Sequence, residues 1–120
     1  LSAVALKIQQ NLGLHIPVIR DPATKGLFIA QATHPQVSKG LTLRSYLQCI
    51  SPHSGPIIAA GDDHNDLSLL QEADVKVAMA ESPSELKAVA DLVAPSCEEM
   101  GIIEGLRAAI ARTARNYDST

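Results

Sequence analysis

The sequence predicts an α/β domain built on a parallel sheet, and three observations carry that prediction. Short apolar runs at 57–60, 75–80 and 92–94 alternate with segments of helical periodicity, the pattern left by βαβ units. The first run, Pro56-Ile57-Ile58-Ala59-Ala60, is apolar without interruption, as expected of a strand covered on both faces. It stops abruptly at Gly61 and gives way to Asp62-Asp63-His64-Asn65-Asp66, three carboxylates and a carboxamide within five positions. In open α/β sheets ligands sit beyond the carboxyl ends of the strands, so this is where chemistry is expected.

The elements follow in order. Val4, Ile8 and Leu12 fall at i, i+4 and i+8, with Ser2 as candidate N-cap and Gly13 as C-terminal stop, so 1–12 reads as an amphipathic helix. Apolar runs at 16–20 and 27–33 flank Asp21-Pro22-Ala23-Thr24-Lys25-Gly26, which predicts an antiparallel hairpin. Ser38 is placed to cap a helix over 39–48 with Leu43, Leu47 and Ile50 on one face. Residues 51–56 are loop by composition, the central strand covers 57–61, and a helix is expected from Asp66 to about residue 72. Ser82-Pro83-Ser84-Glu85 has the form of a capping box with proline at the first helical position, and its helix should turn Leu86 and Val89 inward. After the strand at 92–94, Ser96-Cys97-Glu98-Glu99 is a second such box, before a helix carrying Ile102, Ile103, Leu106 and Ile110 and a polar tail to Thr120.

Composition bounds the rest. A chain of 120 residues makes one domain and can bury roughly two-thirds of its unfolded surface. Aromatic residues are only 2%, so the core is left to Leu, Ile, Val and Ala. With 10 basic against 13 acidic side chains and no basic stripe, nucleic acid is not expected as a partner. No apolar run approaches a membrane span and no signal-peptide pattern precedes the domain, so a cytoplasmic protein is expected. Cys49 and Cys97 are isolated and read as buried thiols rather than a disulfide, and the four histidines share no metal-ligand spacing. Leu1 in place of an initiating methionine suggests a fragment or a processed product.

Crowded carboxylates repel one another unless a cation is shared among them, and hard oxygen donors suit Mg²⁺. On that reasoning Asp62, directly after the strand, is the first candidate ligand. Asp66 has a plainer account as a helix N-cap, and Asn65 as a turn asparagine. Lys39 opens a helix, where its charge is slightly misplaced against the dipole; an exposed surface lysine is the plain alternative.

Gly61-Asp62-Asp63-His64-Asn65-Asp66 resembles the fourth motif, G-D-x-x-N-D, of the haloacid dehalogenase (HAD) superfamily, most closely its Cof-type sugar-phosphate phosphatases. Val37-Ser38-Lys39-Gly40 resembles the third motif of that subgroup, and Val77-Ala78-Met79-Ala80 followed by a Ser-Pro-x-Glu helix start also fits; the likeness runs from about Pro17 to about Arg112. The resemblance implies a HAD-like Rossmannoid three-layer core, of which this chain holds an incomplete half (34–120) preceded by the tail of an α+β cap (1–33). It implies a Mg²⁺-dependent hydrolase of small phosphate monoesters, sugar phosphates above all, working through an aspartyl-phosphate. Asp62 and Asp66 would then serve the metal, Asn65 the phosphate, and Lys39 both substrate binding and charge stabilisation during phosphoryl transfer. Asp62 and Asp66 are expected within one cation's reach, with the Lys39 ammonium turned toward Asp62. Asp63 and His64 fall at variable positions and read as solvated; His34 is a lesser candidate for facing substrate.

The family's nucleophile aspartate, its acid/base partner and the second-motif Ser or Thr have no match here. Asp21-Pro22-Ala23-Thr24 places a Thr three residues after an Asp but lacks the second Asp and precedes a turn glycine, so it reads as a turn. Without a nucleophile the chain alone is expected to be inactive. The strand that bears it would lie beside 57–61, and that bare edge is expected to take a separate chain, a second copy, or the 16–33 hairpin. Two other readings stand beside this one: a non-catalytic remnant serving as a binding or assembly module, and, more weakly, a response-regulator-like receiver.

Overall fold

The computed structural model describes residues 1–50 and 55–117; the predicted loop at 51–56 falls largely outside them, as does the end of the polar tail. Three strands, β3 (Ile58–Gly61), β4 (Val75–Met79) and β5 (Leu92–Ala94), form a parallel sheet in the order β3-β4-β5. The register sets Gly61 opposite Ala78 and Met79 opposite Ala94. Helices cover both faces. Ala59, Ala78, Leu70 and Leu86 pack on the side of α3 (Leu67–Gln71) and α4 (Ser84–Val89). Val75, Val77, Met79 and Ala94 pack on the side of α5 (Gly101–Tyr117), where Ala109 is fully buried. The alternation along β4 is the period of a strand facing two cores, which explains why its sequence is apolar at every position but Lys76.

Helix α5 meets the sheet through small residues rather than through its isoleucines. Gly101, Gly105 and Ala109 form the buried row, while Ile102, Ile103, Leu106 and Ile110 are 37–59% exposed. A methyl added at Gly105 would stand 2.7 Å from the Ala94 Cβ and 2.9 Å from Val77, so the helix lies too close to the sheet for any larger residue.

The amino-terminal part is helix α1 (Ser2–Leu12) and a hairpin of β1 (Val18–Arg20) and β2 (Phe28–Ala30), extended by a bridge between His15 and Thr33. Asp21 turns the hairpin by accepting the Ala23 and Thr24 N–H groups at 2.8 and 2.7 Å, which confirms the turn reading of that segment. The predicted N-cap at Ser2 is not made, since Leu1 occupies that position without a side-chain bond. The stripe of Val4, Ile8 and Leu12 is exposed, and only Ala5 of α1 is buried. The hairpin is a separate sheet. Among the described residues no strand, those of the hairpin included, pairs with the outer edge of β3.

Helix α2 (Lys39–Cys49) is capped as predicted, Ser38 Oγ accepting the Leu41 N–H at 3.2 Å. It is fastened to α3 by the Gly40 N–H on Ser68 Oγ and by an ion pair of Arg44 with Glu72. Both predicted capping boxes differ in the structure. Ser82 is buried, its hydroxyl accepting the Met79 N–H at 3.0 Å and donating to the Gly61 carbonyl at 3.3 Å, so it ties two strand ends together rather than capping α4. Val89 of α4 stays on the rim while Leu86 is buried. Ser96 caps only a 3₁₀ turn over Cys97–Glu99; Met100 then adopts a left-handed φ of 54° before α5 begins. Cys49 and Cys97 are free and exposed, contrary to the expectation of buried thiols.

Candidate active site

The carboxyl end of β3 turns sharply because Gly61 has no side chain. A Cβ there would overlap Asp66 and lie 2.9 Å from its Cγ, so only glycine lets the aspartate fold back against the strand end. The predicted helix start at Asp66 is instead a 3₁₀ turn, His64–Asp66, with α3 following. Asp66 is 3% exposed. Its Oδ2 accepts the Asp62 and Asp63 N–H groups at 2.9 and 3.2 Å, and its Oδ1 takes the Lys39 ammonium. The N-capping account is therefore right in kind, but the caps are those of the loop itself.

Lys39 reaches the site from the first turn of α2, 27 positions earlier in the chain. The expectation that its ammonium turns toward Asp62 is corrected in detail: its bond is to Asp66, the carboxylate sealed beneath the loop. Lys39, Asp62 and Asp66 nonetheless line one cavity of about 340 Å³ together with Gly61, Met79 and Cys97. The Asp62 carboxylate, 60% exposed, is the open one. Partial desolvation first, and then the neighbouring Asp66 charge, push it above its ordinary value, with Arg20 pulling the other way. Among the described residues its one ion pair is a 3.9 Å contact with Arg20. Partial desolvation, and then the charges of Glu81 and Asp62, push the exposed Cys97 thiol up, which disfavours its thiolate.

Asn65 faces a second cavity of about 590 Å³, which also has Lys39 in its wall and is lined by His15, Gln31, Thr33 and Tyr46. Lys39 is thus common to both spaces. His34 lies outside these linings, exposed, with Nδ1 accepting the Gln36 N–H at 3.2 Å. His64 is half exposed, in line with its reading as solvated.

Asp63 overturns its reading as a solvated residue. It is 6% exposed and accepts the Arg20 N–H at 2.8 Å and its Nε at 3.4 Å, with the His64 N–H at 2.7 Å on the other oxygen. Burial alone would raise its pKa, but these hydrogen bonds and the guanidinium together hold it below the usual carboxylate range. Arg20 went unseen because its partners lie far along the chain, its one local signal being its place at the mouth of an Asp-Pro turn, and Ser82 was read as a cap because its bond to the Gly61 carbonyl spans 21 positions. Among the described residues no third acidic, His or Cys side chain joins Asp62 and Asp66 in a metal-holding group. The arrangement sets one open and one buried carboxylate beside an ammonium.

A buried acid held against a glycine at the end of a parallel strand, a lysine from the preceding helix and an open aspartate thus share one cavity at the edge of an α/β sheet. Residues 3–106 match the sequence pattern of the haloacid dehalogenase-like hydrolases, and the chain belongs to that family. It is 32% identical over 80 residues to a phosphoglycolate phosphatase of Methanothermobacter thermautotrophicus, covering 67% of this chain and 36% of the relative. A phosphoglycolate phosphatase of Sulfurisphaera tokodaii is 40% identical over 70 residues, 58% of this chain and 30% of the relative. A solved haloacid dehalogenase-like hydrolase from Bacteroides thetaiotaomicron superposes with a TM-score of 0.64 at 28% identity, over 88% of this chain and 38% of that one. A HAD subclass IIB sugar phosphatase superposes at 0.69 with 22% identity, over 88% and 39%, a likeness of fold. The chain thus spans about a third of the length of these two curated relatives.

Proposed function

We propose that this chain is the metal- and phosphate-holding half of a HAD-type phosphatase. The carrying observation is the Lys39–Asp66 ion pair beside the open Asp62 carboxylate in one cavity at the end of β3. The donor set fits Mg²⁺: an oxygen ligand raised in pKa by partial desolvation and by the neighbouring Asp66 charge gains from a hard cation, and Asp66, with both oxygens engaged, serves by fixing the loop. Asp62 would hold the ion, which supplies charge neutralisation so that a carboxylate can approach a phosphate. Lys39 would neutralise the phosphoryl oxygens, and Asn65 would donate its carboxamide to one of them from the adjoining cavity. The polar groups set into the mainly apolar wall of that cavity, His15, Gln31 and Thr33, would suit a small hydroxylated leaving group such as a sugar. The attacking aspartate and the strand that bears it come from outside these residues, across the free edge of β3. The two free thiols suit a reducing, cytoplasmic setting.

The test is a chimera in which this chain replaces the matching segment of the M. thermautotrophicus phosphatase. Mg²⁺-dependent hydrolysis of phosphate monoesters is expected, falling at least 100-fold with Asp62→Ala or Lys39→Ala. A chimera that folds, by circular dichroism and gel filtration, yet hydrolyses nothing would favour the second reading, a non-catalytic assembly module, for which the uncovered β3 edge speaks.

A further inference from the structure

We propose that Arg20 is a positioning residue through which the hairpin fixes the acidic loop, and with it Asp62; its consequence for cation binding rests on the reading of the site given above. Arg20 ends β1, 43 positions before Asp63, yet one side chain and its own N–H fasten three segments. The N–H and Nε donate to Asp63 Oδ2, Nη2 donates to the Asp62 carbonyl at 2.7 Å, and Nη1 donates to the Glu81 carbonyl at 3.1 Å. The acceptors lie in different directions, which a planar five-donor fork can meet and a single ammonium cannot.

For Asp62 the consequence is specific. Its carbonyl is held by Arg20 and its N–H by Asp66, so both peptide groups flanking its Cα are fixed. The carboxylate departs from that anchored backbone into the cavity. Two effects of Arg20 on a cation at Asp62 oppose each other. Its positive charge, 3.9 Å from Asp62 Oδ2, repels the ion. Its directional bonds to the loop orient the ligand. The charge is half exposed and screened, whereas the Asp63 carboxylate that receives it is buried, so orientation outweighs repulsion. The sign of the effect of removing Arg20 therefore separates the two.

The experiment compares wild type, Arg20→Ala and Arg20→Lys of the full chain by Mn²⁺ and Mg²⁺ titration and by amide hydrogen exchange read by NMR. Cation affinity is expected to fall about tenfold or more in Arg20→Ala. Arg20→Lys should fail to restore it, and millimolar guanidinium should restore part of it in Arg20→Ala alone. Exchange at the Asp62 and Asp63 amides should quicken about tenfold, with Val77 and Ala94 unchanged as the check on the fold. Unaltered or tighter cation binding in Arg20→Ala overturns the proposal, as does unaltered exchange at Asp62 and Asp63. A wild type that binds neither cation would remove the metal site proposed above, while quickened exchange in Arg20→Ala would still uphold the positioning role.

Discussion

Alanine at Gly61 tests whether the loop is built around the close approach of Asp66 to the strand end. The added methyl overlaps the Asp66 Cβ, which is tethered to backbone and cannot swing aside, and stands 3.0 Å from Oδ2. Asp66 must move off the Asp62 and Asp63 N–H groups, or the strand end must shift with it. A hydrogen bond to a charged group is worth about 1.5–3 kcal/mol, and overpacking costs about 1–3 kcal/mol. The unfolded chain gains order on losing a glycine, which returns about 0.5–1 kcal/mol. With the two hydrogen bonds bent rather than lost, the net loss is about 3 kcal/mol. For a domain of this size that lowers Tm by roughly 10 °C or more. Urea unfolding followed by circular dichroism measures it, and the double variant with Asp66→Gly supplies the control. With no Cβ at 66 the alanine has nothing to strike, so its cost should drop to under about 1 kcal/mol in that background. A Gly61→Ala chain within about 1 kcal/mol of wild type, or equal costs in both backgrounds, would refute the close-approach argument.

Three further outcomes are expected. Arg44 holds the Glu72 carboxyl below its usual 4.5 through a hydrogen bond and its charge; a carboxylate lowered by folding stabilises above its unfolded pKa and loses that contribution as pH falls through the folded one. Wild type should therefore lose stability more steeply than Glu72→Gln as the pH is lowered through and below 4.5, and parallel curves would count against the pair. The free edge of β3 should make the chain associate, so light scattering should find species heavier than the 12.7 kDa monomer; a monodisperse monomer with that edge bare would contradict this. The purified chain should hydrolyse no generic aryl phosphate with Mg²⁺, and turnover abolished by Asp62→Ala would show that the nucleophile lies within it after all.

The sheet was legible in the sequence because β3 and β4 face a core on both sides, and that writes apolar runs broken only by Lys76 in β4. Its neighbours were less so. Periodicity marks apolar residues, and α5 packs through Gly101, Gly105 and Ala109, so the isoleucine stripe pointed to the wrong face. The placement of Lys39, Asp62 and Asp66 at one strand end followed the motif order, but which acid the lysine takes depends on Gly61 drawing Asp66 beneath the loop. The pairing of Asp63 with Arg20 could not be read locally. Their bond joins residues 43 apart, and a carboxylate in a polar run has the same signature whether it is solvated or buried against a guanidinium. Ser82 misled for a related reason: a Ser-Pro-x-Glu string satisfies the capping pattern, while the hydroxyl is drawn to the ends of β3 and β4.

Paramagnetic broadening by Mn²⁺, as a stand-in for Mg²⁺, tests the half-site most directly. In an ¹⁵N-labelled chain titrated with Mn²⁺, losses of signal are expected to centre on residues 61–66 and Lys39, to vanish in Asp62→Asn and to reverse with excess Mg²⁺. Broadening centred elsewhere, such as on Glu98 and Glu99, or broadening that survives Asp62→Asn, would contradict the assignment of Asp62 as the metal-holding residue.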